Sequence, residues 1–94
     1  MTYSLEFHVA ALREWKKLGA TSRTQFKAKL GQRLIAPQVP ADRLSGGKNR
    51  YKIKLRSSGY RLVYSFDDTT ITVRVIAVGK RERGAVYRSA DARE

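Results

Sequence analysis

The chain has 94 residues, 20 Lys and Arg against 8 Asp and Glu for a net charge of +12, 41% hydrophobic residues and no cysteine. A chain of this length buries about 60–65% of its unfolded surface, which sustains one domain over residues 1–94 and not two. Without cysteine there is no disulfide or thiolate chemistry, and a lone His8 excludes mechanisms that need two histidines, so no metal or cofactor is expected. No apolar run nears the ~18 residues of a membrane span, and the N-terminus is too polar for a signal peptide, so a soluble, cytoplasmic protein is expected.

Tyr3, Leu5 and Phe7 alternate with polar residues and predict a short strand with those three facing the core. Val9, Leu12, Trp15 and Leu18 then recur at helical spacing, and Gly19 suits the position past a helix end. His8 fits a local cap at this strand-to-helix boundary. Ser22-Arg23-Thr24-Gln25 has capping-box spacing, and the stripe Phe26, Leu30 and Leu34 predicts a second helix running to Ala36-Pro37. Residues Pro37 to Gly47, with two prolines and two glycines, read as a loop.

Tyr51, Ile53 and Leu55 alternate with Lys52, Lys54 and Arg56, and Ser57-Ser58-Gly59 turns the chain into a second strand, Tyr60 to Phe66. Asp67 to Thr70 makes the next turn, where the paired acids are a turn signal and not a metal pair. Ile71 to Val78 is β-branched with apolar residues on both faces, as in a strand covered on both sides, and Gly79 is expected to end it. A short helix from about Gly84 to Ala92 would carry Tyr87. The order β-α-α-β-β-β-α predicts an α+β fold in which an antiparallel meander has a helical hairpin on one face. Its Tyr51/Ile53/Leu55 side lies under the helices, and its Lys52/Lys54/Arg56 side looks outward.

Between Asp42 and Asp67 lie 24 residues without an acid and with seven bases, namely Arg43, Lys48, Arg50, Lys52, Lys54, Arg56 and Arg61. Antiparallel pairing brings Arg61 beside Lys52 and Lys54, and the strand exit adds Lys80, Arg81 and Arg83. Such a row suits the solvated face of a half-buried sheet, a phosphate site or catalysis on RNA. A compact domain this cationic calls for a polyanionic partner, nucleic acid first.

At residues 51–64, YKIKLRSSGYRLVY, at 78–87, VGKRERGAVY, and in the LREWKKLG helix, the chain resembles the RelE-type toxins of the RelE/ParE superfamily. The resemblance runs over nearly the whole chain and implies the same β-α-α-β-β-β-α order. It implies a ribosome-dependent endoribonuclease that cuts mRNA in the A site and is silenced by a cognate antitoxin from an adjacent gene. Carried over motif by motif, the catalytic set falls on Lys52, Lys54, Arg61, Arg81 and Tyr87. Lys48, Arg50, Arg56, Lys80 and Arg83 are assigned to RNA or ribosome contact. The implied reaction is metal-independent attack by the 2′-OH, leaving a 2′,3′-cyclic phosphate and a 5′-OH. Lys54 and Tyr87 are candidates for proton transfer, Lys52 and Arg61 for the phosphorane charge, and Arg81 for the scissile phosphate or leaving oxygen. Two other readings fit a basic chain of this pattern: a gyrase poison of the ParE branch and a noncatalytic RNA-binding protein.

Overall fold

The computed structural model describes residues 2–44, 49–56, 58–80, 82 and 84–93. The chain forms β1 (Ser4–Phe7), α1 (Val9–Lys16), α2 (Ala20–Ile35), a 3-10 turn (Pro40–Asp42), β2 (Arg50–Leu55), β3 (Tyr60–Asp67), β4 (Thr72–Lys80) and α3 (Ala85–Arg93), which is the expected order. The four strands lie side by side as β1-β4-β3-β2. The last three form the antiparallel meander, but β1 pairs in parallel with β4, so the sheet as a whole is mixed, not antiparallel. The helical hairpin explains this pairing. It carries the chain across the sheet from one edge to the other, and β2 therefore starts in the same direction as β1.

On the hairpin side Phe26, Leu30, Ile53, Leu62, Tyr64, Val73 and Val75 are nearly or fully buried. Helix α1 turns a different stripe inward from the one expected. Ala11 is buried completely and Trp15 and Leu18 pack with it, whereas Val9 is 67% exposed and Leu12 36% exposed. Trp15 sits between Phe7 and Phe26, at 5.4 and 6.2 Å between ring centroids. His8 caps α1 as read from the sequence, its Nδ1 accepting the N–H of Ala10 at 3.1 Å. Helix α2 begins two residues before the supposed capping box, with Gly19 as its N-cap, and the Thr24 hydroxyl donates back to the Ala20 carbonyl at 2.9 Å instead.

The second face of the sheet carries its own core of Val63, Ile76 and Ala77 under Val86 and Ala90 of α3. A bulge makes this possible. The register steps from Val63↔Ala77 to Tyr64↔Val75, leaving Ile76 unpaired, so two successive residues of β4 point toward α3. The outward face is therefore only partly solvated, and β4 runs on through Gly79 to Lys80.

A polar network ties the end of α2 to the meander. Arg33 donates to the Tyr64 hydroxyl at 2.9 Å, to the Lys52 carbonyl at 3.3 Å and to the Asp42 carboxylate at 2.6 Å, while Tyr64 donates to the Pro37 carbonyl at 2.7 Å. Burial pushes the Tyr64 phenol above its ordinary pKa, and the nearby Arg33 guanidinium offsets part of that rise. Among the described residues no helix is long and apolar enough to cross a membrane.

Candidate active site

Strand register alone gathers the cations. Lys52 stands opposite Val63, Lys54 opposite Arg61, and Arg61 opposite Gly79, so the three basic residues share the face that α3 partly covers. Directly paired residues place their Cβ atoms about 4.5–5.5 Å apart, and two like charges at that spacing repel. Among the described residues no carboxylate pairs with Lys52, Lys54 or Arg61. All three are half-buried, and Arg61 Nε is buried without a hydrogen-bond partner while Nη1 donates to the Tyr60 carbonyl at 3.1 Å. A row of desolvated donors lacking counterions is an arrangement that an anion would stabilise.

Tyr87 enters from α3. It is half-buried against the Val63/Ile76/Ala77 cluster, which places its ring on the same face of the sheet as the three cations. Gly84, at φ +71°, starts this helix, and its carbonyl accepts the N–H groups of Tyr87 and Arg88. Lys80 is exposed at the end of β4, with its ammonium 5.7 Å from the centre of the Tyr60 ring. Arg56 is exposed beyond the end of β2. Arg81, Lys48 and Arg83 lie outside the described residues.

Arg50 shares the face of Lys52, Lys54 and Arg61 at the start of β2 but, unlike those three, has an acidic partner. It is 8% exposed and forms an ion pair with Asp91 of α3, a contact that fixes the helix. A second pair anchors the far flank of α3. Strand β1 stops at Phe7, opposite Val75, and beyond that point the edge of β4 is completed by side chains. The Val78 N–H donates to Glu14 Oε1 at 3.0 Å, the Ile76 carbonyl accepts from Arg93 at 2.9 Å, and Arg93 pairs with Glu14 at 2.7 Å. The Glu14 carboxylate raises the Arg93 pKa, and partial burial opposes this. Glu14, Asp91 and Arg93 are positioning residues that the sequence pattern does not reveal, since Glu14 and Arg93 are 79 positions apart.

The opposite end of the sheet has the reverse polarity. A cavity of about 660 Å³ there is lined by Glu6, Asp67 and Asp68 together with Asn49, Thr70 and Arg74, and Asp68 accepts the Tyr3 hydroxyl. Its acidic rim is unsuited to a polyanion.

Residues 5–84 match the sequence model of a family described as the ParE toxin of type II toxin–antitoxin systems, parDE. The mRNA interferase toxin RelE of Escherichia coli K12 is 54% identical over 90 residues, covering 96% of this chain and 95% of that protein. The chain belongs to the RelE/ParE toxin family. Within this family, a putative RelE-like toxin protein of Escherichia coli is 46% identical over 93 residues, 99% of this chain and 98% of that one. The free R81A/R83A form of E. coli RelE superposes with a TM-score of 0.91 at 52% identity, over 99% of this chain and 98% of that one. The toxin in the intact E. coli RelBE toxin–antitoxin complex gives 0.83 at 54% identity, over 86% and 99% of the two chains. The RelE/ParE fold is thus present with its α+β order and mixed sheet.

Proposed function

We propose that this RelE/ParE family member is the toxin of a toxin–antitoxin pair and an mRNA interferase, cutting message in the ribosomal A site. The observation that carries the reading is the acid-free row Lys52, Lys54 and Arg61 beside Tyr87, on a chain more than half identical to proteins named mRNA interferases. In the proposed reaction the 2′-OH gives its proton to Lys54 or Tyr87 and its oxygen bonds to phosphorus. Lys52 and Arg61 stabilise the phosphorane, and the P–O5′ bond breaks as that oxygen takes a proton from whichever of Lys54 and Tyr87 did not act as the base. Arg81 is assigned to the phosphate or the leaving oxygen as a charge, since an arginine does not release its proton. The products are a 2′,3′-cyclic phosphate and a 5′-OH, with no metal in the cycle.

One preorganised donor on developing charge is worth about 10²–10³ in rate, and two or three outweigh a base whose ordinary pKa lies far from neutrality. Holding the message in line on the ribosome supplies the remaining effective molarity, which accounts for the expected dependence on ribosomes. Arg50, with Asp91 as its partner, is left out of the RNA-contact set, and Arg56 and Lys80 remain in it. An antitoxin with an acidic segment is the fitting protein partner for this charge, as the RelBE complex of the relative suggests.

Mapping 5′ ends of mRNA on programmed ribosomes tests the reading: cuts confined to the A-site codon are expected. Intact mRNA with blocked DNA supercoiling by gyrase would instead favour the ParE branch, whose name the matched family model bears. Tyr87→Phe keeps the ring and removes the hydroxyl; a loss of at least tenfold in single-turnover rate is expected, and an unchanged rate would return Tyr87 to packing.

A further inference from the structure

The exposed edge of the sheet is closed along only part of its length. On β2 the Arg50 carbonyl accepts the Leu44 N–H at 2.9 Å and the Lys52 carbonyl accepts from Arg33, which covers the first half of the strand. Beyond Lys52 the edge opens into a groove of about 520 Å³ between β2 and α2, lined by Gln25, Ala28, Lys29, Lys54, Leu55 and Arg56. Its volume falls within the range of about 300–1,000 Å³ typical of ligand sites. The floor is apolar at Ala28 and Leu55, the rim carries three cations, and no acid lines it. The sequence explains that bias: between Glu14 and Asp42 there are six bases and no acid, and only Arg33 of these is ion-paired among the described residues.

We infer that this groove is a second nucleotide subsite, which takes the base and phosphate of the RNA residue next to the one being cut. Lys54 is the junction, since it belongs both to the row with Lys52 and Arg61 and to the groove wall. A strand lying along that row passes over the edge of β2 at Lys54 and enters the groove, where Lys29 and Arg56 face its phosphate and Leu55 and Ala28 meet its base. The mixed lining fits a nucleotide, which is charged at one end and flat and apolar at the other. An acidic peptide would satisfy the cations but leaves the apolar floor without a matching face.

This inference rests on the RNA-cleaving reading, and its test separates the two. Non-cleavable 2′-O-methyl RNAs of two and six nucleotides are titrated against the full chain by fluorescence anisotropy. Lys29→Glu is expected to weaken the six-nucleotide probe at least tenfold and the two-nucleotide probe less than twofold, with Gln25→Glu acting in the same direction. Lys27→Glu makes the same charge change on the same helix outside the groove, and should weaken both probes equally and by less than threefold. Lys27→Glu, which leaves the groove lining intact, should keep its cleavage rate on programmed ribosomes at saturating protein within twofold of wild type. Equal effects on both probes, no effect on either, or loss of antitoxin binding with RNA binding kept would overturn the subsite while wild-type cleavage still stands. A wild-type chain that leaves mRNA intact on the ribosome would sink the cleavage reading and the subsite with it.

Discussion

Arg61 is held in a position that stability alone does not favour. Its side chain is half-buried, its Nε lacks a partner and its cross-strand neighbour is Lys54, so removing it relieves both a desolvated charge and a repulsion. Arg61→Ala is therefore expected to slow single-turnover cleavage at least tenfold, while urea unfolding shows stability unchanged or raised by up to about 1 kcal/mol. A variant that lost both activity and stability would mark Arg61 as structural. Tyr64 makes the contrasting case, as its hydroxyl accepts from Arg33 and donates to Pro37 in the interior. Tyr64→Phe should cost about 1–2 kcal/mol at neutral pH, the usual loss when buried partners are left unmet. Burial raises the phenol's pKa in the fold, so the native state keeps its proton after the unfolded chain begins to lose it near pH ~10. That stability is complete below this pH and is lost as pH rises through the folded value. Denaturant titrations at pH 7 and above 10 should accordingly show a shallower alkaline loss in Tyr64→Phe than in wild type.

Helix α3 is the element on which the site's geometry depends, because it brings Tyr87 to the cationic face and is held by Arg50–Asp91 on one side and Glu14–Arg93 on the other. Its apolar seat is Val86 and Ala90 on the Val63/Ile76/Ala77 cluster with Tyr87 beside them, and the two ion pairs tie down its C-terminal turn. Arg93→Ala should lower hydrogen-exchange protection of the amides of Val86 to Ala90 at least tenfold, about 1.4 kcal/mol, and leave β3 and β4 nearly as protected as before. Unchanged exchange in α3 would show that packing alone seats it. The meander, the stripe Phe26/Leu30/Leu34 and the cationic row were all legible because periods of two and of three to four residues report directly on which side chains share a face. What the periodicity could not report were features set by distant partners. The inward turn of Ala11 in place of Val9 depends on how closely α1 lies on β4. The bulge at Ile76 and the placing of α3 on the second face depend on contacts far apart in the chain, as does the diversion of Arg50 to Asp91.

At the scale of the molecule, charge is separated along the sheet. Asp67 and Asp68 lie six and seven residues beyond Arg61, about 20 Å along an extended strand, while Lys54, Arg61 and Lys80 cluster at the other end. With principal extents of 32 × 27 × 26 Å and a Debye length of about 10 Å at 0.1 M salt, the net charge of +12 does not act as a unit in such a buffer. Only the cations within a Debye length of the bound phosphates contribute, so the salt dependence of binding counts the local contacts. Each phosphate neutralised on single-stranded RNA contributes about −0.7 to the log–log slope, and four or five contacts along the row and its flank give about −3. Arg56→Ala should make that slope shallower by about 0.7. Arg74→Ala, which removes an equal charge at the acidic end beside Glu6, should leave it unchanged. Equal shifts from the two variants would mean that the whole surface, and not the face built by β2, β3 and α3, attracts the message; the cationic row would then be a solvated surface and not a binding site.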